Sequence, residues 1–169
     1  MIAVPRRPER YRTSIVPHIH INGASEGIEF YKKAFGAIEL FRVAHPDGKI
    51  LHAEISIGGS VVMIGDRDDR LYAEPSALGR CTTSLHIFLD DNAAFLRCAV
   101  QAGAEEISVL TEMFYGANSA SVRDPYGHVW VAASDKTGSK SGSSLSHSRC
   151  VRESNSLRGG LALASGEHP

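Results

Sequence analysis

Four histidines and one glutamate carry most of the chemistry this chain can offer: His18, His20, His52, His86 and Glu54. A neutral imidazole both donates and accepts a hydrogen bond, and its free nitrogen is a common ligand for transition ions. A carboxylate in an apolar groove has its pKa raised toward neutrality and can then act as a base. Glu54 stands two residues from His52, so on a strand both side chains leave by the same face. Pointing inward, Glu54 is a candidate base; its more ordinary role is that of a solvated strand carboxylate. Phe114 and Tyr115, within Met113-Phe114-Tyr115-Gly116, sit in a loop-like context that can close over a pocket or tuck against a core.

The elements that must hold these residues are written twice. Pro17-His18-Ile19-His20-Ile21 leads into a helical run that stops at Gly36-Ala37, and Leu85-His86-Ile87-Phe88-Leu89 leads into another that stops at Gly103-Ala104, a shift of about 68 residues. Alternation over Ser14 to Ile21 predicts a strand with Val16, His18 and His20 on one face and Ile15, Ile19 and Ile21 on the other. The helix that follows, Ser25 to Phe35, has Ser25 as N-cap, Glu26 and Glu29 near its positive end, and a stripe of Ile28, Tyr31, Ala34 and Phe35. A hairpin of Ile38 to Ala44 and Lys49 to Ile57 turns at His45-Pro46-Asp47-Gly48, and Gly58-Gly59 leads into a strand over Ser60 to Ile64.

The second unit repeats this order. A strand is predicted over Thr82 to Leu89, a helix over Asn92 to Ala102, and strands over Glu105 to Leu110, Asn118 to Arg123 and His128 to Ala133, the last two joined at Asp124-Pro125-Tyr126-Gly127. Neither unit is large enough to bury its own sheet face, so the two should pack around a shared groove. The expected fold is α+β, two βαβββ modules forming a curved mixed sheet around a cleft. Residues 14–134 form this domain, with modules at about 14–66 and 80–134 and a polar linker over 65–81. Residues 1–13 read as a flexible basic arm without chemistry, and 135–169 as a disordered tail with at most a brief helix over Leu157 to Ala164.

Composition narrows the function classes. Of 169 residues 43% are hydrophobic and 22% charged, as in one globular domain. A formal net charge of −1 leaves no electrostatic footprint for nucleic acid or an anionic membrane. Cys81, Cys98 and Cys150 have neither disulfide-framework nor structural-zinc spacing, which points to a reducing cytoplasm. No apolar run reaches spanning length, and the start of the chain lacks a signal-peptide core.

The double unit, the Phe30-Tyr31-Lys32-Lys33-Ala34-Phe35-Gly36-Ala37 helix end and the Asp124-Pro125-Tyr126-Gly127-His128-Val129-Trp130 turn together resemble the vicinal oxygen chelate superfamily, the group of glyoxalase I, extradiol dioxygenases, fosfomycin resistance enzymes and bleomycin-binding proteins. The resemblance covers about residues 14–134. Leu85-His86-Ile87-Phe88-Leu89-Asp90-Asp91, with the Phe-aromatic-Gly loop before Asp-Pro-aromatic-Gly-His, is most similar to the PhnB-like branch of the glyoxalase/bleomycin resistance proteins.

In metal-dependent members the resemblance implies one ligand from the first and one from the last strand of each unit, commonly His and Glu, holding an ion that polarises a substrate with adjacent oxygens. Counting from the helices and turns places these positions at Val16, Met63, Ser84 and Val131, none a useful ligand, so neither metal nor other cofactor is expected. A one-step change of register brings in His18 and His86; with His52 or His20 they could converge on a divalent metal.

Trp130 would stack on a flat ligand or, more ordinarily, fill the layer under the helices. Arg123 would bind an anion or, more ordinarily, make a surface ion pair. Three functions follow. The first is a homodimeric protein binding a small, partly aromatic or oxygenated molecule between His18, His20, His52, His86, Phe114 and Tyr115. The second is a lyase, isomerase or dioxygenase with a metal on His18, His52 and His86. The third is a dimeric scaffold without a ligand.

Overall fold

Helix propensity and apolar spacing meet in Ala24–Phe35, where Ala24, Ile28, Tyr31, Ala34 and Phe35 recur on one side and are all buried. This helix, α1, follows strand β1 (His18–Ile21) and precedes β2 (Ile38–Ala44), β3 (Ile50–Ile57) and β4 (Ser60–Asp66). A short helix α2 (Pro75–Leu78) lies in the connection. The second unit runs β5 (Ser84–Phe88), α3 (Asn92–Gln101), β6 (Glu105–Glu112), β7 (Asn118–Arg123) and β8 (Val129–Ser134). This computed structural model describes residues 11, 13, 15–68, 70–113 and 118–134. Phe114, Tyr115 and the expected tail, Leu157 to Ala164 included, lie outside the described residues.

Two reversals after each helix return the chain parallel to its first strand. The result is two four-stranded mixed sheets, ordered β1-β4-β3-β2 and β5-β8-β7-β6, in which only β1/β4 and β5/β8 pair in parallel. The α+β expectation of two βαβββ modules is met. Gly58 and Gly59 both take positive φ, 59° and 78°, at the centre of the tight β3–β4 turn, a conformation that β-branched residues resist.

α1 and α3 pack on each other, so the helix-facing sides of both sheets share one core. Phe35 stacks on Phe95 with ring centroids 5.0 Å apart, and Trp130 lies 4.8 Å from Phe35. Asp124, 3% exposed, joins the modules: its carboxylate accepts from the Tyr31 hydroxyl at 2.7 Å, Trp130 Nε1 at 2.9 Å and the backbone N–H of Tyr126 and His128 at 3.0 and 2.9 Å. Gly27 allows β1 and α1 to approach, since a Cβ there would lie 2.2 Å from Ile21 Cδ1.

Three local expectations are corrected. The first strand begins at His18 rather than Ser14, and Ile15 is exposed, because pairing with β4 starts at Met63. Ser25 is not the N-cap of α1. Gly23 occupies that place in the left-handed region, and Asp66 from the end of β4 supplies the missing acceptor through Oδ1, 2.9 Å from Gly23 N and 3.1 Å from Ala24 N. Ser25 Oγ instead accepts from Arg42. The linker is also more structured than its polarity suggests: it contains α2, and an isolated bridge between Asp68 and Tyr72 turns it back on itself. Among the described residues no helix is long and apolar enough to cross a membrane.

Candidate functional site

With Ile19, Ile21, Ala53, Ile55 and Ile64 committed to the core, the alternate residues of the first sheet must leave by its other face. Strand register arranges them in rows. His18 pairs with Met63, Met63 with Glu54, and Glu54 with Phe41; alongside, His20 pairs with Gly65 and His52 with Val43. Imidazole, thioether, carboxylate and phenyl therefore stand in line across four strands. The first-strand residue opposite Met63 is His18, so the position assigned to Val16 by counting is displaced by two residues.

The three imidazoles form one cluster. His18 lies 4.3 Å from His20 and meets His52 edge-on at 5.7 Å, centroid to centroid. Gly65 gives them their floor: a Cβ there would come within 3.3 Å of His18 Nε2 and 3.6 Å of His20 Nδ1. Burial, followed by repulsion from His20 and His52, pushes the His18 pKa down to about 4. Burial likewise lowers that of His20, and His128 adds to the effect against the opposing pull of Asp66 and Asp68. Neutral imidazoles keep both a donor and an acceptor for a bound molecule. His20 Nδ1 is buried with no hydrogen-bond partner among the described residues.

Glu54 is not the solvated strand carboxylate of the ordinary reading. It is 2% exposed, although it stands on the open face. Its Oε1 accepts from the Tyr11 hydroxyl at 2.5 Å and lies 3.4 Å from His52 Nε2. The arm therefore does carry a contact with the site, which its Pro- and Arg-rich composition concealed. Tyr72 is the second residue missed: its ring stacks on His20 at 4.0 Å with the ring planes nearly parallel. An aromatic residue in an otherwise charged linker was the available signal.

The second sheet is built on the same register with different chemistry. His86 pairs with Val131, Val131 with Ser121, and Ser121 with Ser108. His86 is exposed and lies 3.2 Å from Ser84 Oγ, and the ring contacts that join His18, His20 and His52 do not extend to it. Among the described residues no three His, Cys, Asp or Glu side chains are grouped to hold a metal ion, so His18, His52 and His86 are not assembled as ligands within one chain. Trp130 is a core residue, and Arg123 pairs with Glu105 at 2.7 Å on the surface.

Two cavities lie where β1 approaches β5. One, about 360 Å³, is lined by His18, His20, Tyr72, Arg80, Leu85 and His128 among others. The other, about 380 Å³, is lined by Tyr11, Val16, Val61, Leu85, His86 and Phe88 among others. Of the expected ligand-binding residues, the structure brings together His18, His20 and His52, and it adds Glu54, Tyr11 and Tyr72.

Comparison with known proteins agrees with this architecture. Residues 18–67 match the family described as Glyoxalase At5g48480-like, N-terminal domain. The uncharacterized protein Rv0887c of Mycobacterium tuberculosis is 36% identical over 121 residues, covering 69% of this chain and 71% of that one. The solved structure of the Arabidopsis thaliana At5g48480 gene product is 27% identical with a TM-score of 0.58, covering 72% of this chain and 98% of that one. A glyoxalase/bleomycin resistance protein/dioxygenase family enzyme from Burkholderia phytofirmans shares the fold at a TM-score of 0.54 and 18% identity, covering 69% of this chain and 94% of that one.

Proposed function

Because the chain belongs to the glyoxalase/bleomycin resistance family of the vicinal oxygen chelate superfamily, we propose that it binds a small, partly aromatic or oxygenated molecule on the open face of its first sheet, without the usual metal of that family. The observation that carries this reading is the pair of last-strand positions. Met63 stands opposite His18 and Val131 opposite His86, so neither last strand offers an oxygen or nitrogen ligand beside the imidazole of the first strand. What remains is a floor of imidazoles, with burial favouring the neutral form of His18 and His20, flanked by Phe41 and Tyr72 and suited to orienting a ligand by hydrogen bonds and ring contacts. Within that family, the Leu85-to-Asp91 and Asp124-to-Trp130 strings support a reading of the chain as PhnB-like.

On this reading the chain forms a homodimer. The outer strands β2 and β6 carry exposed Ile38, Leu40, Ile107 and Val109, and edges of this kind are normally paired or covered. Metal analysis of the dialysed protein, with a thermal-shift screen of aromatic and oxygenated compounds, tests the reading. The expected result is no stoichiometric metal and ligand-dependent stabilisation that His18→Ala removes. Zinc, nickel, manganese or iron that survives dialysis and is lost in His18→Ala or His86→Ala would instead support the metal-dependent lyase, isomerase or dioxygenase.

A further inference from the structure

The linker between the modules forms a wall over one end of the histidine row, and that wall is tied down on both sides. Glu74 accepts from the Asn22 backbone N–H at 2.6 Å, and Ser76 donates its own to the Tyr126 carbonyl at 3.0 Å. Gly127 permits the second contact, since a Cβ there would lie 2.5 Å from Ser76 N. The cavity of about 360 Å³ beside this wall falls in the size range of small-molecule pockets, roughly 300–1,000 Å³. Its lining divides by chemistry. Leu71, Leu78, Leu85 and Tyr72 form an apolar side, which gives the exposed Leu71 and Leu78 a purpose. Arg80 stands on the same lining, exposed and without an ion pair among the described residues. His20 and His128 border it as well, and each has a buried ring nitrogen with no hydrogen-bond partner among the described residues.

We infer that this cavity takes a small carboxylic acid with an aromatic body, its carboxylate on Arg80 and its ring against Tyr72, Leu78 and Leu85. The inference rests on the reading that a small ligand binds over the first sheet, and it names the class of that ligand. A guanidinium fork matches a carboxylate bidentately, and neutral imidazoles add N–H donors to the same group. No Asp or Glu stands among the described lining residues to repel it. Asp66 and Asp68 act on His20 from nearby, but Asp66 is engaged by the amides of Gly23, Ala24 and Ile50, and Asp68 by that of Arg70. The larger cavity that Arg80 also borders, about 580 Å³, includes Glu105 and Asp124 in its lining and suits an anion less. A neutral ligand of the same shape forgoes the charge-assisted bonds, and a bare small anion leaves the apolar wall uncovered.

Calorimetric titration of the full chain with phenylacetate, phenylacetamide and acetate, for wild type, Arg80→Gln, Arg80→Lys and Tyr72→Ala, tests this. Both side chains are exposed, so the variants should fold. Wild type should bind phenylacetate at least about tenfold more tightly than either the amide or acetate. Arg80→Gln should abolish the preference over the amide while leaving the amide's own affinity unchanged, and Arg80→Lys, which keeps the charge without the fork, should retain part of it. Tyr72→Ala should weaken phenylacetate about threefold or more. Equal affinity of wild type for phenylacetate and its amide, or a preference that persists in Arg80→Gln, overturns the inference. So does a loss in Arg80→Gln with none in Tyr72→Ala, which would put the anion in the larger cavity that Tyr72 does not line. If neutral aromatic or oxygenated compounds still bind in a His18-dependent way, the small-molecule reading survives that result. If no compound binds any variant, both readings fall.

Discussion

Replacing Asp124 with alanine should unfold the molecule at markedly lower denaturant while leaving the residues of the open face untouched. The carboxylate accepts four hydrogen bonds, two from side chains that are sealed in the core, Tyr31 and Trp130, and two from the backbone of the turn. A buried donor left without a partner costs about 1–3 kcal/mol, and water can reach the turn amides more easily than the phenol or the indole. The expected loss is therefore about 3–5 kcal/mol. With a urea slope of about 2 kcal/mol/M, the midpoint should fall by roughly 2 M. Tyr31→Phe removes a single donor and should cost about 1–2 kcal/mol. The double variant should cost less than the sum by about 1 kcal/mol, because Asp124 and Tyr31 share one bond. An Asp124→Ala midpoint within about 0.5 M of wild type, or strict additivity with Tyr31→Phe, would refute the claim that this carboxylate ties the two modules together.

Three further outcomes are expected. Gly27→Ala places a methyl 2.2 Å from Ile21 Cδ1 and should cost about 1–3 kcal/mol by thermal unfolding; a neutral result would mean that β1 and α1 can separate freely. Gly65→Ala crowds His18 and His20 at 3.3 and 3.6 Å and should weaken ligand binding more than it lowers the melting temperature, and the reverse pattern would remove Gly65 as the floor of the site. His18, held near pKa 4 against an ordinary 6.5, takes up its proton later in the folded than in the unfolded chain, so its neutral form favours folding fully above pH 6.5 and that advantage is lost as pH falls toward 4. Allowing for solvent around a ring that is well exposed, this amounts to about 1 kcal/mol, and His18→Asn should flatten the urea midpoint across that window; an unchanged slope would contradict it.

The frame of the molecule was legible because it rests on local signals. Alternation in Ile19 and Ile21, the α1 stripe and the Gly36 stop each act within a few residues, and their recurrence after about 68 positions revealed both modules. Glu54 and His52 were placed on one face by the same period of two. What escaped the sequence depends on contacts between distant segments. Asp66 capping α1 from β4, Tyr72 folding back on His20, and Tyr11 reaching Glu54 leave no local pattern. Counting back from the helices misplaced Val16 opposite Met63 and Ser84 opposite Val131, where His18 and His86 stand, because pairing register between first and last strands is fixed by the helix and hairpins between them rather than by distance along either strand.

The two open faces, compared row by row, say where the chemistry resides. Register superposes His18, Met63, Glu54 and Phe41 of the first sheet on His86, Val131, Ser121 and Ser108 of the second. Both rows keep the imidazole of the first strand, yet only one keeps a carboxylate and an aromatic ring behind it. In the second row Ser108 and Ser121 bond each other at 2.7 Å, which satisfies their hydroxyls within the sheet. The helix-facing sides behave differently: Ile19 and Ile21 answer Ile87 and Leu89, and Ile55 and Ile64 answer Val122 and Ala132, apolar on both sides of the repeat. Packing therefore constrains the core faces of both modules alike, while the open faces are free to diverge. A ligand bound between them would be held by the first sheet and merely covered by the second. Substitutions at His18, His52 or Glu54 should accordingly affect binding far more than their counterparts at His86 or Ser121, and equal losses on the two faces, read by the same titration, would show that the site is shared symmetrically after all.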